Sequence, residues 1–251
     1  MPIRRATSIV LRSYKVGETD KLVVFFTLPY GKVRGRARAA RRARSRFGGS
    51  LEPGTEVELT FFEKESRELV SVDRCDIVRS RFSVLGEPIL ASTLGYVSDL
   101  VDSFAPEREP NPRLYRLLRA TIGALDARAS PETHARYFEA WLLRLAGFYP
   151  RRKNCPSCGR ALADEGARYL ASEHRLACRR CLGSGVSLSP RAFAFVEAIW
   201  REPPDAVSPP EAPGVLSELG VFHYRLIQEQ LEKDLKSHRV LKDLLRHEKG
   251  R

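Results

Sequence analysis

Apolar and polar positions change their rhythm once along this chain, near residue 80. Before that point the pattern is short and strand-like. Ile9, Val10 and Leu11 begin one run, and Leu22 to Leu28 form a continuous apolar run that Pro29, Tyr30 and Gly31 end. From Lys32 to Arg38 the alternation is strict, with Lys32, Arg34, Arg36 and Arg38 on one face and Val33, Gly35 and Ala37 on the other. Thr55 to Glu63 alternates again with Val57, Leu59 and Phe61 inward, and Leu69 to Ile77 supplies a fifth strand. Five short strands with Gly and Pro at their turns suit a small closed barrel of the OB type. Strand count does not fix strand order, so a five-stranded sheet of another topology stays open.

Beyond residue 80 apolar residues recur at three and four. Leu90, Leu94, Val97, Leu100, Val101 and Phe104 predict one helix, which Pro106 and Pro110 break. Leu114, Leu117, Leu118, Ile122 and Leu125 form a second stripe. Ser130 and Pro131 read as an N-cap and first helical residue, followed by Tyr137, Trp141, Leu142 and Leu145, with Gly147 as the stop. These aromatics lie on the buried stripe and read as core. Ser189 and Pro190 open another helix through Trp200, and the prolines between 202 and 214 mark a connection. A last helix is expected from Val221 to Arg246. The fold class is therefore α+β and multidomain: a barrel over 1–80, a helical region over 81–150, a cysteine module over 151–185, and C-terminal helices over 186–251 packing on the helical region.

Charge adds a location. Residues 1–50 hold thirteen Lys and Arg against Glu18 and Asp20, a net +11 out of +12 for the whole chain. The densest part comprises Lys32, Arg34, Arg36, Arg38, Arg41, Arg42, Arg44 and Arg46, with no acid among them. A partner rich in phosphates is the natural counterpart of such a field. The plain alternative is a disordered basic segment, against which stand the strand patterns on both sides. Tyr14, Tyr30 and Phe47 flank the run as candidates for base stacking, Phe47 more readily as core. If about six of these cations touch phosphates of a single strand, the slope of log K against log salt is about −4.

Cys155-Pro-Ser-Cys158 and Cys178-Arg-Arg-Cys181 are separated by 19 residues, the spacing of a four-thiolate zinc site. Four thiolates leave no open position, so one structural zinc ion is expected. Two redox pairs are the competing reading. His174 lies between the pairs and reads as a surface residue, and Cys75 as a small core residue. Arg151, Arg152, Lys153, Arg160, Arg175, Arg179 and Arg180 surround the module, either to extend a nucleic-acid surface or to solvate it. No apolar run reaches the roughly 18 residues of a membrane span, and no secretory leader pattern stands at the start. Phosphate-binding glycine loops, HExxH and GxSxG are missing, and the acids do not cluster as a two-metal site requires. The reading is a cytoplasmic protein that is not an enzyme.

Taken in order, these residues resemble the RecO family of bacterial recombination mediators. Ile9–Val33 is similar to the family's opening strands, Ala37–Phe47 to its basic segment, and Leu51-Glu-Pro-Gly54 to the Leu-x-Pro that follows. Glu109–Leu118, Phe138–Gly159 and Leu235–Leu241 match further on. Two departures stand out: Ala39 replaces a common Gly, which suggests regular strand there, and His238 is inserted before Arg239. The resemblance implies an N-terminal OB-fold and a zinc-bearing C-terminal part. It implies binding of single- and double-stranded DNA and annealing of complementary strands. It also implies work with RecR, and sometimes RecF, to load RecA onto DNA coated by single-strand-binding protein, whose acidic tail the family commonly binds. An RNA-binding or ribosome-associated barrel with a zinc ribbon is the alternative, because phosphates do not distinguish the two. A scaffold whose basic face binds an acidic protein tail is a third.

Overall fold

The computed structural model describes residues 2–63, 68–125, 130–150 and 153–249. The chain forms two compact units, Met1–Ala127 with Leu235–Arg251, and Arg128–Asp234. The helical stretch expected over 81–150 is thus shared between two units.

In the first unit five strands close into a barrel. They are β1 (Ile3–Val16), β2 (Asp20–Thr27), β3 (Gly31–Ala37), β4 (Glu56–Phe62) and β5 (Val70–Arg79). Their order is β1-β2-β3-β5-β4, with β4 returning to β1 and the β3–β5 pair parallel. This is an OB-like barrel, which resolves the topology that strand count left open. The long β1 pairs with β2 through its second half and with β4 through its first, and a register shift between Val10 and Arg12 lets it bend around the closure.

The barrel is filled by Val10, Val23, Phe25, Val33, Val57, Leu59, Phe61, Val72 and their neighbours, with Phe47 and Leu51 from the β3–β4 loop. The unbroken apolar run of β2 has a simple cause. Val23 and Phe25 point into the barrel, while Phe26, on the other face, meets the ring of Tyr115 at 6.1 Å. Both faces are covered, so both are apolar. Gly35 allows β3 and β5 to meet, since a Cβ there would fall 2.5 Å from Cγ2 of Val72. Cys75 is buried in this core, and burial pushes its thiol up to about 12, in keeping with a packing role.

Helices α1 (Phe82–Leu85), α2 (Pro88–Phe104) and α3 (Pro112–Ala124) follow the barrel. The terminal helix α8 (Lys236–Lys249) packs on α2. Ser237 Oγ donates to Asp99 at 2.5 Å and the buried His238 stacks against Tyr96 at 5.5 Å. The inserted histidine therefore serves packing.

The second unit comprises α4 (Pro131–Leu145), the cysteine module with the short α5 (Leu162–Glu165), α6 (Pro190–Arg201) and α7 (Val215–Leu231). Ser130 and Ser189 cap α4 and α6 as the sequence predicts, accepting from the N–H groups of Thr133 and Ala192. The single helix expected over Val221–Arg246 is instead two, α7 and α8. Glu232 adopts φ 51°, and Asp234 folds back to accept from Gln228 Nε2 at 2.6 Å and Tyr224 at 3.2 Å. The left-handed residue stops α7.

Between α4 and α7 lies a buried ionic group. Arg136 donates to Glu139 at 2.8 Å, and Glu139 meets His223 Nδ1 at 3.1 Å. Gly220 leaves room for the Arg136 guanidinium, which a Cβ would strike. Burial pushes His223 below its ordinary value, against the opposing pull of Glu139. The folded unit holds this ring neutral, while the unfolded chain gains a proton near pH 6.5. The unfolded state binds more protons as pH falls below that value, so stability falls with it. In urea unfolding, replacing His223 by Gln removes this component, so the wild type loses more stability than H223Q between pH 7.5 and 5.5.

Candidate nucleic-acid interface and metal centre

Strand β3 carries the basic ladder with the alternation intact, but its cations are not equivalent. Lys32 is only 6% exposed. Its Nζ meets the carbonyl of Asp102 at 2.5 Å, and the carboxylates of Asp102 and Glu107 at 3.3 Å each. Arg34 binds Glu107 at 2.8 Å and Asp102 at 3.1 Å. Arg36 binds Asp20 at 2.7 Å. The ladder thus consists of three acid-paired cations and Arg38, which has no side-chain partner among the described residues. Two of the acids, Asp102 and Glu107, come from α2 and the segment after it, some 70 residues away in sequence, where no local pattern reveals them, while Asp20 begins β2. Reversing Arg34 or Arg36 would set a carboxylate against Asp102, Glu107 or Asp20, so these are poor probes of a binding surface.

The free charge lies in the loop between β3 and β4. Arg38, Arg42 and Arg44 are exposed and have no side-chain partner among the described residues. Arg41 donates to the carbonyls of Gly17 and Glu18, at 3.0 and 2.8 Å. Arg46 donates to the carbonyl of Asp73 at 2.7 Å and lies over the Phe47 ring at 4.7 Å. Both guanidiniums are held by neutral carbonyls and have no acid partner among the described residues. Five cations thus remain available, and Phe47, buried beneath them, anchors the loop to the barrel core. Of the other flanking aromatics, Tyr30 packs edge-on against Phe61 at 5.8 Å, while Tyr14 is 42% exposed.

Asp20 organises the start of this loop. Its carboxylate accepts from the Ala39 N–H at 2.9 Å, from Arg36 Nε at 2.7 Å and from Thr19 at 3.0 Å. The Ala39 N–H, followed by Arg36, holds its carboxyl below the usual range. The regular strand expected at Ala39 is corrected to a turn, with φ 55°. An L-residue there pays about 1–2 kcal/mol for the left-handed backbone. Ala39→Gly is expected to raise stability by about 1 kcal/mol in urea unfolding.

In the second unit the cysteines meet. The four Sγ atoms of Cys155, Cys158, Cys178 and Cys181 all lie within 4.8 Å of one another, and Cys158 and Cys178 are 3.6 Å apart. A tetrahedron with bonds of about 2.3 Å has edges of about 3.8 Å, so the donor set fits one ion. Tight turns place each pair. The Gly159 N–H donates to the Cys155 carbonyl at 2.9 Å with Gly159 at φ 75°, and the N–H groups of Cys181 and Leu182 donate to the Cys178 carbonyl at 3.1 and 3.0 Å. Strands β6 (Ala167–Leu170), β7 (Arg175–Cys178) and β8 (Val186–Leu188), in the order β7-β6-β8, carry the second pair.

The electrostatics also call for a cation. The backbone N–H of Cys178, with those of Ser157 and Cys158, pulls the Cys155 thiol down to about 6. The neighbouring sulfurs, Cys158 first, push Cys181 up to about 12. Four thiolates this close cannot all be charged unless a positive ion sits among them. His174 takes no part, since its Nδ1 meets Glu229 at 2.9 Å. Among the surrounding cations, Arg160 and Arg180 face Glu165 at 2.9 and 3.8 Å, and Arg175 faces Glu173 at 3.2 Å. Arg151 and Arg152 lie outside the described residues.

No described helix is long and apolar enough to cross a membrane. Residues 1–81 match the family described as Recombination protein O N terminal, and residues 87–239 match Recombination protein O C terminal. The chain is 35% identical over 239 residues to the DNA repair protein RecO of Koribacter versatilis, covering 93% of this chain and 96% of that protein. It is 33% identical over 197 residues to the RecO of Anaeromyxobacter dehalogenans, 78% of each chain. It is 34% identical over 196 residues to that of Geobacter metallireducens, 78% of this chain and 80% of that one. A barrel with a basic loop, a helical part and a four-cysteine centre thus stand in one chain whose two halves match one family, and the chain belongs to the RecO family of DNA repair proteins.

Proposed function

We propose that this chain is a DNA-binding recombination mediator. It anneals complementary strands and, with RecR, helps load RecA onto DNA coated by single-strand-binding protein. The observation that carries the reading is the β3–β4 loop, where Arg38, Arg42 and Arg44 stand exposed without acid partners among the described residues, and Arg41 and Arg46 are held by carbonyls, Arg46 also over the Phe47 ring. Annealing brings two polyanions together. Guanidiniums replace the condensed counterions of both strands and lower their repulsion. Contacts confined to the backbone leave base edges free to pair. With five cations on one strand, the loop alone gives a salt slope of about −3.5, shallower than the value for six.

The ion held by Cys155, Cys158, Cys178 and Cys181 is a single structural zinc, because four thiolates leave no position for water or substrate. When bound, it supplies folding free energy to a module of short strands. RecR and the single-strand-binding protein are the protein partners this reading assigns, with RecF as a further one, in the cytoplasm. The test is RecA-dependent ATP hydrolysis on circular single-stranded DNA coated by single-strand-binding protein. Adding this chain with RecR is expected to remove the lag, and a lag unaffected by either protein overturns the mediator assignment.

A further inference from the structure

A second cationic surface lies at the far end of the barrel strands. Glu56 begins β4, pairs in register with Arg79 of β5, and receives Arg119 Nε of α3 at 2.7 Å. Arg81 follows two residues after Arg79, and its Nη2 lies 3.5 Å from where a Cβ on Gly123 would stand. Gly123 is one turn beyond Arg119 on α3, and Arg116 is one turn before it, so all three share a helix face. Three guanidiniums, those of Arg79, Arg81 and Arg119, therefore gather around one buried carboxylate, with Arg116 further along the same face of α3. Arg79, Arg81 and Arg116 have no side-chain partner among the described residues. Burial, then the like charges of Arg79 and Arg119, depress Arg81 despite Glu56, the mark of a local excess of positive charge.

Beside this excess stands exposed apolar surface. Phe82, the residue after Arg81, is 79% exposed, and Ile77 and Val78 near the end of β5 are exposed as well. A ring left in water beside free guanidiniums is a poor core element and a good stacking platform. The surface is bounded further along β4 and β5 by the register pair Glu58 and Asp76, the latter ion-paired with Arg74 at 2.8 Å. The basic loop touches the other end of β5. Arg46 rests on the Asp73 carbonyl, six residues before Arg79, about 20 Å along the strand.

We propose that Arg79, Arg81 and Arg116, with Phe82, form a second site for single-stranded nucleic acid, taking phosphates on the guanidiniums and a base on the ring. This rests on the nucleic-acid reading of the basic loop. Alternating free cations and an exposed ring suit the alternation of phosphate and base along a strand. A strand held at the loop also reaches this surface at high effective concentration.

The test is a triple variant, Phe82→Ala, Arg79→Ala and Arg116→Ala, all at exposed positions. Its affinity is measured by fluorescence anisotropy with an oligothymidylate of about 30 nucleotides, longer than the roughly 4–16 nucleotides covered per OB-type barrel. Binding is expected to weaken about tenfold, and the salt slope to fall in magnitude by about 1.4 for two lost phosphates. Photocrosslinking of the wild type to 5-iododeoxyuridine DNA is expected to label Phe82. If the triple variant fails to fold, Phe82→Ala alone and the crosslink decide. Unchanged affinity and slope, or an acidic peptide that binds the patch while the variant keeps wild-type DNA affinity, overturn the proposal and leave the loop reading standing. A wild type that does not bind single-stranded DNA at all overturns both.

Discussion

Replacing Arg38, Arg42 and Arg44 together by Gln is expected to weaken single-strand binding about 50-fold at 150 mM salt, with no loss of fold. The magnitude follows from counterion release. Three phosphate contacts on a single strand contribute about 2.1 to the slope of log K against log salt. The loss grows at lower salt, and the slope of the variant is shallower by about 2. The fold is kept because none of the three has a side-chain partner among the described residues. The control is Arg36→Gln, which is expected to cost stability more than binding, since Arg36 binds the Asp20 carboxylate that also holds the Ala39 N–H. Anisotropy titrations at four salt concentrations, with thermal melts alongside, separate the two effects. A triple variant with wild-type affinity and slope would move the DNA surface away from this loop.

The cysteine centre gives the other large effect. Cys178→Ser is expected to abolish metal binding and leave the module over residues 153–188 unfolded. The strands β6, β7 and β8 have four, four and three residues, too short to hold a fold by pairing alone. Metal binding contributes on the order of 10–16 kcal/mol in zinc-finger peptides at neutral pH, more than such a sheet can replace. Elemental analysis is expected to find one zinc per chain in the wild type and none in the variant. Limited proteolysis is expected to cut the variant within the module. Cobalt substitution of the wild type is expected to give the intense charge-transfer bands of thiolate ligation. A Cys178→Ser protein that keeps one tightly bound ion and resists proteolysis would contradict a four-thiolate site.

What was legible in the sequence was what is local. The two CxxC pairs fix their own turns, so spacing alone brought the four sulfurs to one point. The period-two alternation of β3 placed Val33, Gly35 and Ala37 inward and the cations outward, as the structure has them. Pairings across distance were not legible. Asp102 and Glu107 neutralise Lys32 and Arg34 because α2 lies on that barrel face, and nothing near residue 32 announces it. The break at Glu232 was hidden for a different reason. Ile227, Leu231 and Leu235 keep a spacing of four through the turn, so the apolar stripe runs on while the backbone does not. At Ala39 the turn lacks the glycine that would have marked it, and the hydrogen bond from its N–H to Asp20 holds the left-handed backbone instead.

The central claim is that this RecO-family chain uses its basic barrel unit to bring complementary DNA strands together. The most direct measurement is annealing of complementary oligonucleotides already coated with single-strand-binding protein, at several salt concentrations, with matched RNA strands alongside. Annealing of coated DNA that falls steeply with salt, and that the Arg38, Arg42 and Arg44 variant loses, is the predicted result. Binding without annealing, or a clear preference for the RNA strands, would contradict it.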